Sequence, residues 1–163
     1  MENQFQRPTL HSEETCQIAA RMLITDPLAK EDWFDDVALA IQNARNTFDA
    51  LKELDDMGWE ISDEIIESFL GLTEIRAIAL YQAIEAWVRR HGVIAQLQPG
   101  SMHKVNINGA MRDIVIAEIY DSRAQYRAVY SAPDKTGLQE AFVNFEVLHD
   151  LATPPERFQL SCC

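Results

Sequence analysis

Residues 73–90 read TEIRAIALYQAIEAWVRR, and they predict a helix with apolar side chains on more than one face. A helix that is apolar most of the way round is normally buried by its neighbours. Glu74 in the first turn and Gly92 just beyond the last turn are typical signals for the start and the end of a helix. We therefore predict that residues 73–90 form the central helix of a helical half.

Helical spacing of apolar residues also extends before this segment. Ser12 is placed to cap a first helix that Asp26–Pro27 ends, and a second helix is predicted from Asp32 to Met57. Apolar residues in the second helix recur by threes and fours: Phe34, Val37, Ile41, Ala44, Phe48 and Leu51. A short helix, Asp63 to Leu70, leads into the central one. We expect the apolar seam to pack on the central helix, and the alternative is that it joins two copies of the chain in a homodimer.

From Ser101 onward the pattern changes from a helical period to a strand period. Four strands are predicted: His103–Ile107, Asp113–Tyr120, Tyr126–Ser131 and Gln139–Leu148. Asn108–Gly109 is a strong signal for a tight hairpin between the first two strands, and PDKTG at 133–137 predicts a second turn. Helices followed by strands predict an α+β fold, with an N-terminal bundle of about four helices and then a small antiparallel β-meander.

The same patterns predict how the chain divides. We expect a flexible arm at 1–11, a helical domain at 12–95, a small antiparallel β domain at 101–152 and a tail at 153–163.

The strand half resembles small SH3-like and Tudor-type β-barrels. The resemblance covers residues 104–151 and rests on the hairpin spacing and on the strands YRAVY and EAFVNFEVL. It implies a short meander that binds peptides or modified side chains on an aromatic surface. The candidates for such a surface are Tyr120, Tyr126, Tyr130 and Phe142. Aromatic rings at strand spacing are also typical of a core, so packing is the alternative interpretation of these four residues.

Charge is distributed unevenly over the 163 residues, whose net charge is −12. Residues 1–97 hold 8 Lys and Arg against 18 Asp and Glu, while residues 98–163 hold 6 against 8. Nucleic acids and anionic membranes bind clustered cations, so this balance argues against both and favours a basic protein partner. The odd cysteine count favours a reducing compartment. Since neither a signal segment nor a long apolar stretch is evident, we expect a cytoplasmic protein.

Motifs that carry chemistry are missing from the sequence. There is no H-x-x-x-H, C-x-x-C, G-x-S-x-G or phosphate-binding glycine loop, and the four histidines are isolated from one another. We therefore predict no enzyme activity, no cofactor and no metal site.

Carboxylates crowd residues 32–67, and solubility alone is one explanation of them. The functional interpretation is a surface that contacts a basic protein partner, and it assigns that contact to Asp35, Asp36, Asp49, Glu53, Asp56, Glu60, Glu64 and Glu67. In charge and size the chain resembles small acidic phage and plasmid proteins that counter host defence. That resemblance implies a non-enzymatic inhibitor or decoy, of the anti-CRISPR or anti-restriction kind, which occupies the nucleic-acid-binding groove of its target.

Residues 65–84, IIESFLGLTEIRAIALYQAI, resemble a helix-turn-helix motif, with Leu-Gly-Leu as the turn and Thr73 as the cap. The resemblance implies a dimeric, DNA-binding transcriptional regulator, which is the alternative function. The helix that would enter the groove begins with Glu74, Ile75 and Arg76, whereas base readout needs Arg, Lys, Asn or Gln. This departure from the motif makes nucleic acid the less favoured partner.

Overall fold

A computed structural model describes residues 6–25, 31–133 and 135–148. Five helices precede the sheet in this part of the chain: α1 (Glu13–Leu23), α2 (Glu31–Asn43), α3 (Thr47–Asp56), α4 (Asp63–Phe69) and α5 (Leu72–His91). Four strands follow them, and the described chain ends in one helical turn: β1 (Met102–Ile107), β2 (Ala110–Tyr120), β3 (Gln125–Ser131), β4 (Leu138–Asn144) and α6 (Phe145–Leu148). The predicted α+β class, with helices first and an antiparallel meander after them, is confirmed.

The chain clusters into two compact units. We call Gln6–Trp87 the helical unit and the described residues from Val88 onward the sheet unit. The predicted tail, 153–163, and residues 149–152 of the predicted β domain lie outside the described residues, as do residues 1–5 of the predicted arm.

The prediction of one long second helix is wrong, because α2 and α3 are separate helices. Asn46 interrupts the helix: its extended backbone and its side chain, which accepts a hydrogen bond from the Asp49 amide, make it the N-cap of α3. The break rotates α3 relative to the predicted seam, and Phe48 is consequently 73% exposed instead of packed in the core. The end of α3 follows the prediction, since Gly58 adopts a positive φ of 91° just after the helix.

The central helix forms as predicted, but it is not buried all round. Its buried residues follow a single stripe at helical spacing: Leu72, Arg76, Ala79, Ala83, Ile84 and Trp87. Ile78 and Tyr81, on other faces, are each 46% exposed. The expectation that neighbours cover most faces of this helix is therefore wrong.

The core of the helical unit comes mainly from small and aliphatic side chains of its first three helices, which bury Cys16, Ala20, Ile41 and Leu54. Alanine is frequent in this core, and such short side chains let helices approach closely. The last residues of the predicted arm also contact this unit, because the guanidinium of Arg7 lies 6.0 Å from the ring centre of Trp87.

The sheet is a meander in the order β1-β2-β3-β4, in which every pair is antiparallel. Asn108 and Gly109 both have positive φ, 52° and 82°, as a two-residue hairpin turn with the correct twist requires. The linear order leaves β1 and β4 as the two edges of the sheet. The last predicted strand is shorter than expected, because β4 ends at Asn144 and residues 145–148 are helical.

Candidate functional site

The predicted acidic residues fall into two sets in the structure. Three of them make contacts inside the helical unit. Asp35 accepts a hydrogen bond of 2.8 Å from the side-chain amide of Gln17. Asp36 accepts one of 3.0 Å from the indole N–H of Trp59. Asp49 accepts hydrogen bonds from the side chain and the backbone amide of Arg45. These three carboxylates position helices and loops, so they are poorly suited to contact a partner.

The other five predicted residues belong to one continuous segment, which we call the acidic segment, residues 53–74. It contains eight carboxylates: Glu53, Asp55, Asp56, Glu60, Asp63, Glu64, Glu67 and Glu74. Glu53 is half-buried and the other seven are exposed. Within the described ranges of the chain, none of the eight side chains has a hydrogen-bond or ion-pair partner. Unpaired negative charge is therefore present on the end of α3, the following loop, α4 and the first turn of α5.

Our prediction of contact residues omitted Asp55, Asp63 and Glu74, although the sequence contains a signal for them. No Lys or Arg occurs between Lys52 and Arg76. Carboxylates with no cation close in sequence have few local partners. This criterion would have predicted that all eight carboxylates of the acidic segment are unpaired.

Two large apolar side chains are exposed near the acidic segment: Leu70 lies within it, and Phe48 lies shortly before it in sequence. The Thr47 hydroxyl donates a hydrogen bond of 3.3 Å to the carbonyl of Phe69, which joins the start of α3 to the end of α4. The residues that follow these two, Phe48 and Leu70, are 73% and 72% exposed. Phe48 was predicted to lie in the apolar seam, and Leu70 was predicted as the end of the short helix and as part of the Leu-Gly-Leu turn. We call these two side chains, one at the start of α3 and one just after α4, the exposed apolar pair.

The described cations of the helical unit are mostly engaged. Arg76 is only 8% exposed, and its guanidinium donates hydrogen bonds to the carbonyl of Ala44 and to the ring of His11. Arg21 lies 4.8 Å from the ring centre of Phe34.

Burial raises the pKa of the Cys16 thiol, and the positive charge of Arg76 partly opposes this increase. A raised pKa keeps the thiol protonated and makes it a poor nucleophile.

Arg76 also bears on the helix-turn-helix interpretation. α4, Gly71 and α5 occupy the predicted positions of the motif. The prediction that Thr73 caps the second helix is wrong, because α5 already begins at Leu72. The buried guanidinium of Arg76, however, binds the carbonyl of Ala44, so it is not presented to a phosphate or a base edge. The cation nearest the start of the predicted recognition helix therefore has a structural contact.

The four predicted surface aromatics do not share one environment. Tyr126 is fully buried, and its ring centre lies 4.4 Å from that of Phe145. Its hydroxyl accepts hydrogen bonds from the backbone amides of Gln96 and Leu97, at 3.0 and 3.1 Å. Tyr126 is therefore part of the core of the sheet unit, as the packing interpretation predicted.

Tyr120 and Phe142 form a separate pair, whose ring centres are 6.0 Å apart. Beside them Arg127 donates hydrogen bonds of 2.7 Å to both Glu118 and Glu140. The hydroxyl of Tyr120 also donates to Glu118, and this bond, with that from Arg127, lowers the pKa of the Glu118 carboxyl. Arg127 has carboxylate partners on both sides, so it does not supply an unpaired charge to this aromatic pair.

The described residues contain neither a metal-binding cluster nor a membrane-spanning helix. No group of three or more His, Cys, Asp or Glu side chains there is arranged to hold a metal ion. None of the described helices combines the length and the apolar character that crossing a membrane requires. Comparisons of the chain with protein-family models, with curated proteins and with solved structures return no match.

Proposed function

We propose that the helical unit is a non-enzymatic protein-interaction module that binds a basic protein through the acidic segment. One observation carries the proposal: eight carboxylates lie within residues 53–74 with no Lys or Arg among them, and none has a partner in the described part of the molecule. Complementary charge across an interface directs association and selects partners. A surface with this arrangement is suited to a partner that presents Lys and Arg side chains.

Two of the eight acids lie at a helix end where they are unfavourable, and this supports a role in binding. Asp63, Glu64 and Glu74, by contrast, lie in the first turns of α4 and α5, where an acid is favourable. Asp55 and Asp56 occupy the last turn of α3, which contains no basic residue. The C-terminus of a helix carries partial negative charge, so acids there are unfavourable by about 0.3 to 1 kcal/mol. Since these acids do not stabilise α3, solubility or partner binding must account for them. Their local concentration favours binding.

The exposed apolar pair supports the same proposal. Charge pairs at an interface contribute more to specificity and association rate than to affinity, whereas buried aromatic anchors carry much of the binding energy. Phe48 and Leu70 are exposed, and each is adjacent in sequence to one of the residues whose hydrogen bond joins the start of α3 to the end of α4. They provide the apolar centre that an acidic rim by itself lacks.

The class of partner we propose is a cytoplasmic protein that handles nucleic acids. A groove that binds nucleic acid is lined with Lys and Arg, which contact successive phosphates. A row of exposed carboxylates can occupy such a groove in place of phosphates. The chain would then act as an inhibitor or decoy of the counter-defence type.

The test is affinity capture from a bacterial lysate with the full chain immobilised, at about 0.05 M and about 0.5 M salt. Wild-type chain should retain nucleic-acid-binding proteins at low salt and release them at high salt or on addition of duplex DNA. The variant Glu60→Gln, Glu64→Gln, Glu67→Gln should lose about nine-tenths of this capture, since about 1.4 kcal/mol of lost binding energy reduces affinity tenfold.

A matched control separates the acidic segment from net charge. Asp32→Asn, Glu85→Gln, Asp121→Asn changes three exposed carboxylates outside the segment, so both variants have the same net charge. The control variant should retain the partner. Equal loss of capture in the two variants, or capture that ignores salt and DNA, would reject the proposal.

A further inference from the structure

The sheet unit contains a small concave site of opposite charge to the acidic segment. It has a volume of about 180 Å³ and is lined by Ile107, Asn108, Ala110, Arg112, Tyr130, Ala132 and Lys135. Two of these residues are cations, and the described residues that line the site include no carboxylate. The chain has a net charge of −12, so two cations that line one concave site indicate a ligand with negative charge.

The sheet register places the charged and aromatic walls of this site. Tyr130 of β3 lies opposite Ile114 of β2, and Arg112 precedes Ile114 by two residues, so Arg112 and Tyr130 are diagonal neighbours on one face. Diagonal neighbours in an antiparallel sheet are about 7 to 8 Å apart, within reach of long side chains. Arg112 is thus held near the hairpin end of β2, which pairs with β1 on one side and β3 on the other.

Two turns complete the site. The amide of Lys135 donates a hydrogen bond of 3.2 Å to the carbonyl of Ala132, which fixes the start of the β3–β4 turn. On the other side, the β1–β2 turn places Asn108 at the rim with a φ of 52°. Residues from two turns and three strands therefore converge on one small volume.

Among the described residues, the polar groups of the site have no protein partner. In the described ranges, the side chains of Arg112, Lys135, Tyr130 and Asn108 form neither hydrogen bonds nor ion pairs. Asp113, the carboxylate adjacent to Arg112 in sequence, is on the opposite face of the strand and lies 3.9 Å from Lys104. The site consequently presents a guanidinium, an ammonium, a hydroxyl and an amide to whatever enters it.

We propose that this site binds the phosphate group of a small phosphomonoester. A phosphomonoester carries a charge of about −1.5 to −2 at neutral pH, which matches two cations better than a single carboxylate does. The planar guanidinium donates two parallel hydrogen bonds to phosphate oxygens, and the ammonium acts as a second point charge. Ile107, Ala110 and the ring of Tyr130 form an apolar wall for the organic part of the ligand.

The proposal is tested by NMR titration of the ¹⁵N-labelled full chain with phenyl phosphate, inorganic phosphate and acetate. Phenyl phosphate should give saturable shifts of the Asn108, Arg112 and Lys135 signals, with a Kd of about 1 mM or tighter. Inorganic phosphate should shift the same signals with weaker affinity, because it cannot contact the apolar wall. Acetate, with one charge, should bind at least about tenfold more weakly than phenyl phosphate.

Variants identify the side chains responsible. Arg112→Gln should weaken phenyl phosphate binding by about tenfold or more, and Lys135→Gln by about threefold to tenfold. Lys104→Gln removes the same charge from the outer face and should leave the affinity within about twofold. Lys135 lies in an exposed turn, so its variant tests the site even if Arg112→Gln perturbs the sheet.

Binding should also follow the charge of the ligand. The second ionisation of a phosphomonoester has a pKa of about 6, so affinity should fall between about pH 7.5 and about pH 5 as the dianion is lost. The proposal is overturned if phosphate shifts signals evenly over the surface, if acetate binds as tightly, or if Lys104→Gln weakens binding as much as Arg112→Gln. Because the site lies in the sheet unit, its failure leaves the proposed function of the acidic segment untouched.

Discussion

The two units of this protein use their charges in opposite ways. In the helical unit Arg76 is buried against a backbone carbonyl, while the carboxylates of the acidic segment have no partners in the described chain. In the sheet unit the glutamates beside Arg127 are paired, while Arg112 and Lys135 have no described partner and line a concave site. The comparison teaches that net charge alone does not locate a binding surface. We therefore propose binding surfaces only where the described fold leaves charges unpaired.

The largest effect we expect comes from removing a charge that the helical unit uses internally. Arg76→Ala should lower the free energy of unfolding of this unit by about 2 to 3 kcal/mol, because hydrogen bonds from charged donors contribute about 1.5 to 3 kcal/mol. The variant removes the donor to the Ala44 carbonyl at the end of α2, a helix without a basic residue in its last turn. Urea unfolding followed by the circular dichroism of the helices measures the change.

Lys52→Ala is the matched control for Arg76→Ala. Lys52 is exposed on α3 and has no partner in the described part of the helical unit. Its removal should change stability by less than about 0.5 kcal/mol. If the two variants were equally stable, the distinction between engaged and unpaired cations would fail in this unit.

A smaller loss of stability should follow from removing a neutral hydrogen-bonding group, the hydroxyl of Tyr126, in the sheet unit. Tyr126→Phe deprives the amides of Gln96 and Leu97 of their shared acceptor, and a donor left unpaired costs about 1 to 3 kcal/mol when buried. These amides are partly buried, so we expect a loss of about 1 to 2 kcal/mol. Thermal unfolding monitored by near-ultraviolet circular dichroism measures it.

Tyr130→Phe removes a hydroxyl that has no partner among the described residues, and it should be neutral within about 0.5 kcal/mol. A loss of stability equal to that of Tyr126→Phe would show that the Tyr130 hydroxyl has a structural role. It would then not be available to a ligand.

The smallest effect concerns the acidic segment itself. Asp56→Asn removes a negative charge from the last residue of α3 and should raise stability by about 0.3 to 0.5 kcal/mol. Glu13→Gln, in the first turn of α1, removes an acid from the favourable end of a helix and should lower stability by a similar amount. Paired urea unfolding curves compare them. Destabilisation by Asp56→Asn would mean that this acid serves the fold, contrary to our proposal.

Local signals in the sequence predicted the order of elements well. The spacing of apolar residues located α1, α4 and α5, and Asn108–Gly109 located the first hairpin. These features depend on neighbouring residues alone, so they can be inferred without knowing the tertiary structure. The division between α2 and α3 was also local, since Asn46 caps the second of them. It was missed because apolar spacing continues through the break and suggests one helix.

The remaining differences depend on contacts between residues far apart in sequence. Arginine usually lies at the surface. Arg76 is buried because its guanidinium donates a hydrogen bond to the carbonyl of Ala44, 32 residues earlier. Likewise, Tyr126 could not be assigned to core or surface before its contact with the backbone of residues 96–97 was known. The candidate site was predicted in part: sequence indicated an acidic surface, but the structure separated its internally bonded acids from its unpaired ones.

The linear order of the meander has a consequence for how the sheet unit forms. Each strand pairs with the next one along the chain, so most of its contacts join residues that are close in sequence. Low contact order is associated with fast folding, and a hairpin closes in about 1 to 10 μs. We expect β1 and β2 to zip together from Asn108–Gly109 and the later strands to add in turn. We therefore expect this unit to fold during its synthesis, because each strand that leaves the ribosome pairs with the strand that left before it.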